Sequence, residues 1–278
     1  MGFRLSLDQA RVAGFNPVQI VFARLLLGFL VLTPIALSRG LRFPRHGRLW
    51  GHLFVAALVA NVVPYLLFSV AEETIGSNVA GVLNATTPLW TLLLAFLVGV
   101  DRAVTVKKAA GFALGFLGVV VIFSPWESAS EIASWGGLAC LAAAASYGLG
   151  YVYMGRYLTG RGIPPLMLSA AQLGAATVLL APALPFAGLE SPVWRLDAVA
   201  SLLVLGVLGT GAAYVLNYRI IDDEGPTAAS VVTYLLPVVA VVLGWAFLRE
   251  AVTTAIVAGI ALVLAGVTLT RKRSIEIG

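Results

Sequence analysis

GSNVAGVLNATTPLW, residues 76–90, returns in outline as GPTAASVVTYLLPVV, residues 225–239. Gly76 and Gly225, Ala80 and Ala229, and Pro88 and Pro237 each stand 149 positions apart, and the same offset relates Tyr65 to Tyr214 and Asp101 to Glu250. Five coincidences at one spacing mark a tandem duplication. With one residue deleted the register continues at 148, pairing Pro17 with Pro165, Ala23 with Ala171, Gly111 with Gly259 and Gly118 with Gly266.

Both stretches lie inside long apolar runs, and composition says why. Apolar residues make up 60% of the 278 and charged residues 11%, against about 45–50% and 25% in a soluble domain. A water-facing surface cannot be built from that. Nine runs without acidic residues are long enough to cross or nearly cross a ~30 Å hydrocarbon core: Pro17–Ser38, Trp50–Val70, Gly76–Val100, Val104–Ser124, Trp135–Tyr157, Pro164–Leu189, Ala198–Ile221, Gly225–Leu248 and Val252–Thr270. None alternates apolar and polar residues at period two, so the segments read as helices rather than barrel strands. The expected class is an all-α membrane protein embedded in a lipid bilayer.

The net charge of +5 would suit nucleic acid, but the Lys and Arg lie in short loops, where they set orientation instead. With Arg39–Leu49 placed inside, strict alternation puts thirteen Lys and Arg on the inner side, from Arg39 to Arg273, and only Arg195 and Arg249 outside. Such a bias predicts a multi-pass protein of the bacterial inner membrane with a cytoplasmic C-terminus and no nucleic-acid partner.

The second half holds five runs, and an odd number per copy inverts one copy relative to the other, a transporter signature. The plan is therefore ten helices in two inverted five-helix repeats, at 1–124 and 135–270, with 271–278 a cytoplasmic tail. At offset 148 Met1 matches Leu149, in the middle of a helix. The first helix of the first repeat is thus expected to be truncated by about fourteen residues, with Gly2–Phe15 as its remnant; a surface amphipathic helix is the alternative.

The residues Gly76, Ala80, Pro88, Asp101-Arg102 and Gly111-x-x-x-Gly115-x-x-Gly118, repeated as Gly225, Ala229, Pro237, Glu250 and Gly259, resemble the EamA-type proteins of the drug/metabolite transporter superfamily. Arg24, seven residues after Pro17, is similar to that family's P-x-x-x-x-x-x-R pattern, although the second copy has Gln172 there. The resemblance implies ten helices around a central cavity and export of amino acids or other small metabolites.

Physical reading points to the same midplane. Pro88 and Pro237 each follow their glycine by twelve residues, about 18 Å along a helix. Proline removes an N–H and unpairs the carbonyl four residues back, here that of Asn84 and of Thr233. Two polar notches are expected, facing protein or a water-filled cavity; the alternative is a plain kink closed by a neighbouring hydroxyl. Asn61 with Tyr65, Tyr147 with Tyr151, and Thr210, Tyr214 and Asn217 form polar helix faces at similar depth. They are candidates to line a substrate cavity, and equally to bond helix to helix at about 0.6 kcal/mol per contact. Arg24 lies about 10 Å into its span. At roughly 2.5–3.5 kcal/mol to insert, it must face a cavity, a carboxylate or carbonyls rather than lipid, and a substrate carboxylate would suit its fork. The glycines at 111, 115 and 118 read as close-packing positions.

No metal site or cofactor is expected: Cys140 is the single cysteine, and His46 and His52 have no ligating neighbours in sequence. No span carries a carboxylate or histidine at midplane, which favours facilitated export over proton coupling, with Asp8 the exception. The rivals are an intramembrane lipid-modifying enzyme, which would need a nucleophile with its base or a metal cluster, and a non-transporting scaffold. A monomer is expected to suffice.

Overall fold

The computed structural model describes residues 15–100, 105–124, 126, 129–186, 196–248 and 253–270. Among these the chain is all-helical. Its apolar helices are α1 (Pro17–Ser38), α2 (Gly47–Ala71), α3 (Ser77–Leu97), α4 (Val106–Phe123), α5 (Trp135–Tyr157), α6 (Pro165–Phe186), α7 (Leu196–Glu224), α8 (Pro226–Ala246) and α9 (Thr254–Thr270). Eight are long and apolar enough to cross a bilayer, and α9, with 17 residues, reaches about 26 Å. Among the described residues nine apolar helices thus stand where the sequence predicts ten. The remnant expected at Gly2–Phe15 lies, apart from Phe15, outside the described residues, as do Asp101, Arg102, Glu127, Glu190, Arg195, Arg249, Glu250 and the tail 271–278.

Local chemistry sets the helix ends. Asn16 caps α1 in a capping box with Gln19, ahead of Pro17 at the first helical position. Thr105 accepts from the Lys108 N–H at 3.2 Å and Thr253 from the Ile256 N–H at 3.3 Å, so α4 and α9 begin on threonines 148 positions apart. Ser134 caps α5 in the same way. Glu131 accepts from the Gly76 N–H at 2.5 Å, which places a carboxylate at the positive end of α3. Gly225, with φ of 95°, permits the sharp passage from α7 to α8. α2 starts at Gly47 rather than Trp50, since the apolar run ends at the charged Arg48 while the helix continues through it, and the Trp50 indole donates to the Pro44 carbonyl at 2.9 Å.

Besides α6, which ends in a 3-10 stretch at Ala181–Phe186, four helices depart from regular α geometry, in two pairs related by the duplication. α2 widens into a π turn at Leu58–Val62 and α7 at Val207–Ala212. α3 stops at Asn84 and restarts at Thr87, while α8 passes through a 3-10 turn at Val232–Tyr234. Pro88 and Pro237 therefore sit in the first turn of a restarted helix, where a missing N–H leaves no gap in the ladder.

Two apolar clusters organise the bundle. One gathers α1, α2, α5, α6 and α7 around Leu25, Leu53, Leu168 and Leu173, and the other gathers α3, α4, α8 and α9 around Phe112, Val119, Tyr234 and Val263. Within the second, α4 and α9 touch backbone to backbone: a Cβ on Gly118 would stand 2.6 Å from the Gly259 carbonyl oxygen, and one on Gly266 would stand 2.4 Å from the Gly115 nitrogen. Leu93, Phe96 and Leu97 on α3, with Leu236, Val239 and Trp245 on α8, are exposed, as apolar side chains are when lipid rather than water surrounds them.

Candidate solute site between the repeats

Arg24 is 5% exposed at membrane depth on α1. Its Nε donates to the Thr210 hydroxyl of α7 at 3.2 Å, and its Cζ lies 4.5 Å from the centre of the Tyr65 ring on α2, within cation–π range. The partner of Arg24 in the second copy is Gln172 on α6, and the partner of Thr210 in the first is Asn61 on α2. Gln172 Nε2 donates to Asn61 Oδ1 at 2.7 Å. The duplication therefore yields two crossed pairs, each joining the second helix of one copy to the π-turn helix of the other. Tyr218 on α7 completes the second pair by donating its hydroxyl to Gln172 Oε1.

The π turns explain why polar groups can sit here at low cost. A π turn leaves carbonyls poorly matched to the α ladder, and they need other donors at this depth. Tyr214 donates to the Ala60 carbonyl at 2.6 Å and Ser146 to the Val59 carbonyl at 2.7 Å, while Thr210 donates to the Leu205 carbonyl at 3.0 Å. Tyr214→Phe is expected to lower the melting temperature in detergent, since an unpaired buried acceptor costs about 1–3 kcal/mol. Tyr65→Phe, whose hydroxyl serves no backbone carbonyl among the described residues, is expected to be milder. Equal losses in the two variants would count against this account.

The structure gathers most of the residues expected to line a cavity. Arg24, Asn61, Tyr65, Thr210 and Tyr214 belong to the crossed pairs and their turns; Tyr147 packs edge-on against Tyr65 with ring centres 6.2 Å apart, and Tyr151 adjoins Thr233. Asn84 and Asn217 stand apart. Both are half-buried, Asn84 accepts only from Thr87 on its own helix at 3.3 Å, and no hydrogen bond among the described residues joins either to the cluster. At the break in α3 the Thr86 hydroxyl and N–H both donate to the Leu83 carbonyl, at 2.6 and 3.1 Å, one residue before the Asn84 carbonyl expected to be unpaired.

Sequence reasoning left Gln172 and Tyr218 out of the site. The signal was available: if Arg24 belongs, offset 148 carries the role to Gln172, and Tyr218 lies one turn beyond Tyr214. Within this cluster one polar atom is left over. Asn61 Nδ2, on a residue with 0% exposure, has no hydrogen-bond partner among the described residues, a state that costs about 1–3 kcal/mol.

A duplicated helical unit, folded so that each copy supplies half of a buried polar cluster at membrane depth, defines a multi-pass membrane transporter. The chain belongs to the EamA-like transporter family, which matches it twice, over residues 3–124 and 134–271. It is 27% identical to the uncharacterized transporter YvbV of Bacillus subtilis (strain 168) across 98% of this chain and 88% of that protein. It is also 27% identical to the uncharacterized inner membrane transporter YedA of Escherichia coli (strain K12), across 84% and 74%. The protein PecM of Dickeya dadantii (strain 3937) is 25% identical over 87% and 80%. A solved crystal structure superposes with a TM-score of 0.79 at 19% identity, covering 96% of this chain and 92% of the other, and so shares the fold.

Proposed function

We propose that the chain moves small metabolites, amino acids or related organic solutes, out of the cell by alternating access, through the polar centre where its two inverted repeats meet. It lies in the bacterial inner membrane with its C-terminus in the cytoplasm, works as a monomer and needs no cofactor. The observation that carries this reading is the crossed pairing of Arg24 with Thr210 and of Gln172 with Asn61. Buried polar groups at membrane depth are costly and are kept where a substrate passes. Bonds that link one repeat to the other also break when the repeats move, so they couple the site to the rocking that opens each face.

Counterflow in proteoliposomes with radiolabelled amino acids tests the class of activity. Saturable exchange supports a carrier, whereas turnover of lipid without flux would point to an intramembrane enzyme. Accumulation in everted membrane vesicles tests direction. Labelling cysteines placed at Arg48 and Arg273 from either side tests topology, and the two are expected to react from the same face.

A further inference from the structure

We infer that the Asn61 side-chain amide is a donor to the transported solute, that Gln172 and Tyr218 are the residues that aim it, and that the group it receives is a carboxylate. The inference deepens the carrier reading and rests on it.

The three side chains form a chain of hydrogen bonds with a direction. Tyr218 gives its hydroxyl proton to Gln172 Oε1, so the opposite end of that amide, Nε2, must face away, and it donates to Asn61 Oδ1 at 2.7 Å. Asn61 is thereby fixed with its oxygen toward Gln172 and its N–H₂ at the far end. Turning Asn61 alone would set N–H₂ against N–H₂, and turning both amides over would take from the buried Tyr218 hydroxyl proton the acceptor it has at Gln172 Oε1. All three residues have 0% exposure, and the far end, Nδ2, has no acceptor among the described residues. Thr33 Oγ1 and Thr227 Oγ1 are also buried without a partner among the described residues, but only Asn61 Nδ2 stands at the end of a hydrogen-bonded chain that orients it to donate to a ligand.

The charge nearby says what that is. Tyr65 lies one helical turn from Asn61 on α2, and the Arg24 guanidinium rests against its ring at 4.5 Å. A cation and an amide donor at similar depth select an anion with acceptor oxygens; a carboxylate supplies both, while a carboxamide lacks the charge and an amine lacks the acceptor. Gln172 and Tyr218 touch no solute on this reading. They are positioning residues, contributed by the second repeat to set a donor in the first.

Thermal unfolding of the purified full-length protein in detergent tests the inference without requiring flux. The probes are matched triples: phenylalanine, phenylalaninamide and phenethylamine, then leucine, leucinamide and isoamylamine. A free acid should raise the melting temperature with dose, and its amide and amine should need at least ~10-fold higher concentration for the same shift. Asn61→Leu should abolish the shift. Gln172→Met is the decisive variant, because a side chain of similar length without a donor releases Asn61 Oδ1, and the amide can then turn either end to the solute. That variant should lose preference for the acid over its amide, whereas a purely space-filling role for Gln172 would leave the preference intact. Equal shifts from acid, amide and amine, an unchanged response in Asn61→Leu, or no shift from any triple would overturn the assignment. Binding of acids by a protein that shows no counterflow would overturn the carrier reading instead.

Discussion

Arg24→Met is expected to cut counterflow by roughly 30- to 150-fold while leaving the protein at least as resistant to heat as its parent. The two halves of this result come from different physics. A charge-assisted hydrogen bond to a substrate is worth about 2–3 kcal/mol, which is that fold-change in binding. An arginine within a span, by contrast, costs roughly 2.5–3.5 kcal/mol to insert, and its removal leaves the Thr210 hydroxyl bonded to the Leu205 carbonyl at 3.0 Å. Were Arg24 structural, holding α1 to α7, the melting temperature would fall together with flux. Arg24→Lys separates charge from shape: it keeps the cation but loses the planar group that lies against Tyr65, so intermediate flux is expected. Unchanged transport in Arg24→Met would remove this residue from the site.

Gly266→Leu is expected to abolish folding altogether, read as loss of a monodisperse protein after detergent extraction. Even a single Cβ at Gly266 meets the Gly115 nitrogen at 2.4 Å and the Gly111 oxygen at 2.6 Å. These are backbone atoms, so no change of side chain on α4 can make room. The cost should reach the top of the ~1–3 kcal/mol range for overpacking, or exceed it. Gly115 offers the control. Its Cβ would meet the Tyr234 ring at 2.5 Å and no backbone atom among its three nearest neighbours, so Gly115→Ala should be destabilising yet recover in part when Tyr234 is shortened to leucine. Full recovery of Gly266→Ala by any side-chain change on α4 would refute the backbone contact.

Much of the architecture is legible in the sequence because the bilayer imposes one rule on every span: bury no unpaired backbone and expose no charge to lipid. Span limits from Pro17 to Thr270 follow from that rule within a few residues, and Trp50 is misread as a start because the apolar run ends at Arg48, through which the helix continues. The breaks in α3 and α8 fall at Asn84 and Thr233 because proline announces them. The π turns have no such signature. Leu58–Val62 reads as ordinary apolar helix, and its widening depends on Tyr214 and Ser146 arriving from distant positions to take the Ala60 and Val59 carbonyls. For the same reason Gln172 escapes notice: glutamine in an apolar helix gains its role only from Asn61 and Tyr218, 111 and 46 positions away.

The wide turns of α2 and α7 begin 149 positions apart yet are completed differently. Ser146 and Tyr214 reach the first from other helices, whereas the second takes a hydroxyl from its own Thr210. On the proposed alternating-access reading, two copies of one unit that settle into unlike shapes hold the blueprint of a second conformer, in which each copy wears the other's shape. In that mirror conformer the Tyr65 hydroxyl is expected to reach the carbonyl of Gly209, the counterpart of Ala60, as Tyr214 lets go. Within that swing the Tyr214–Ala60 bond is exchanged for its Tyr65–Gly209 twin, a bond of the same kind, so this exchange favours neither end.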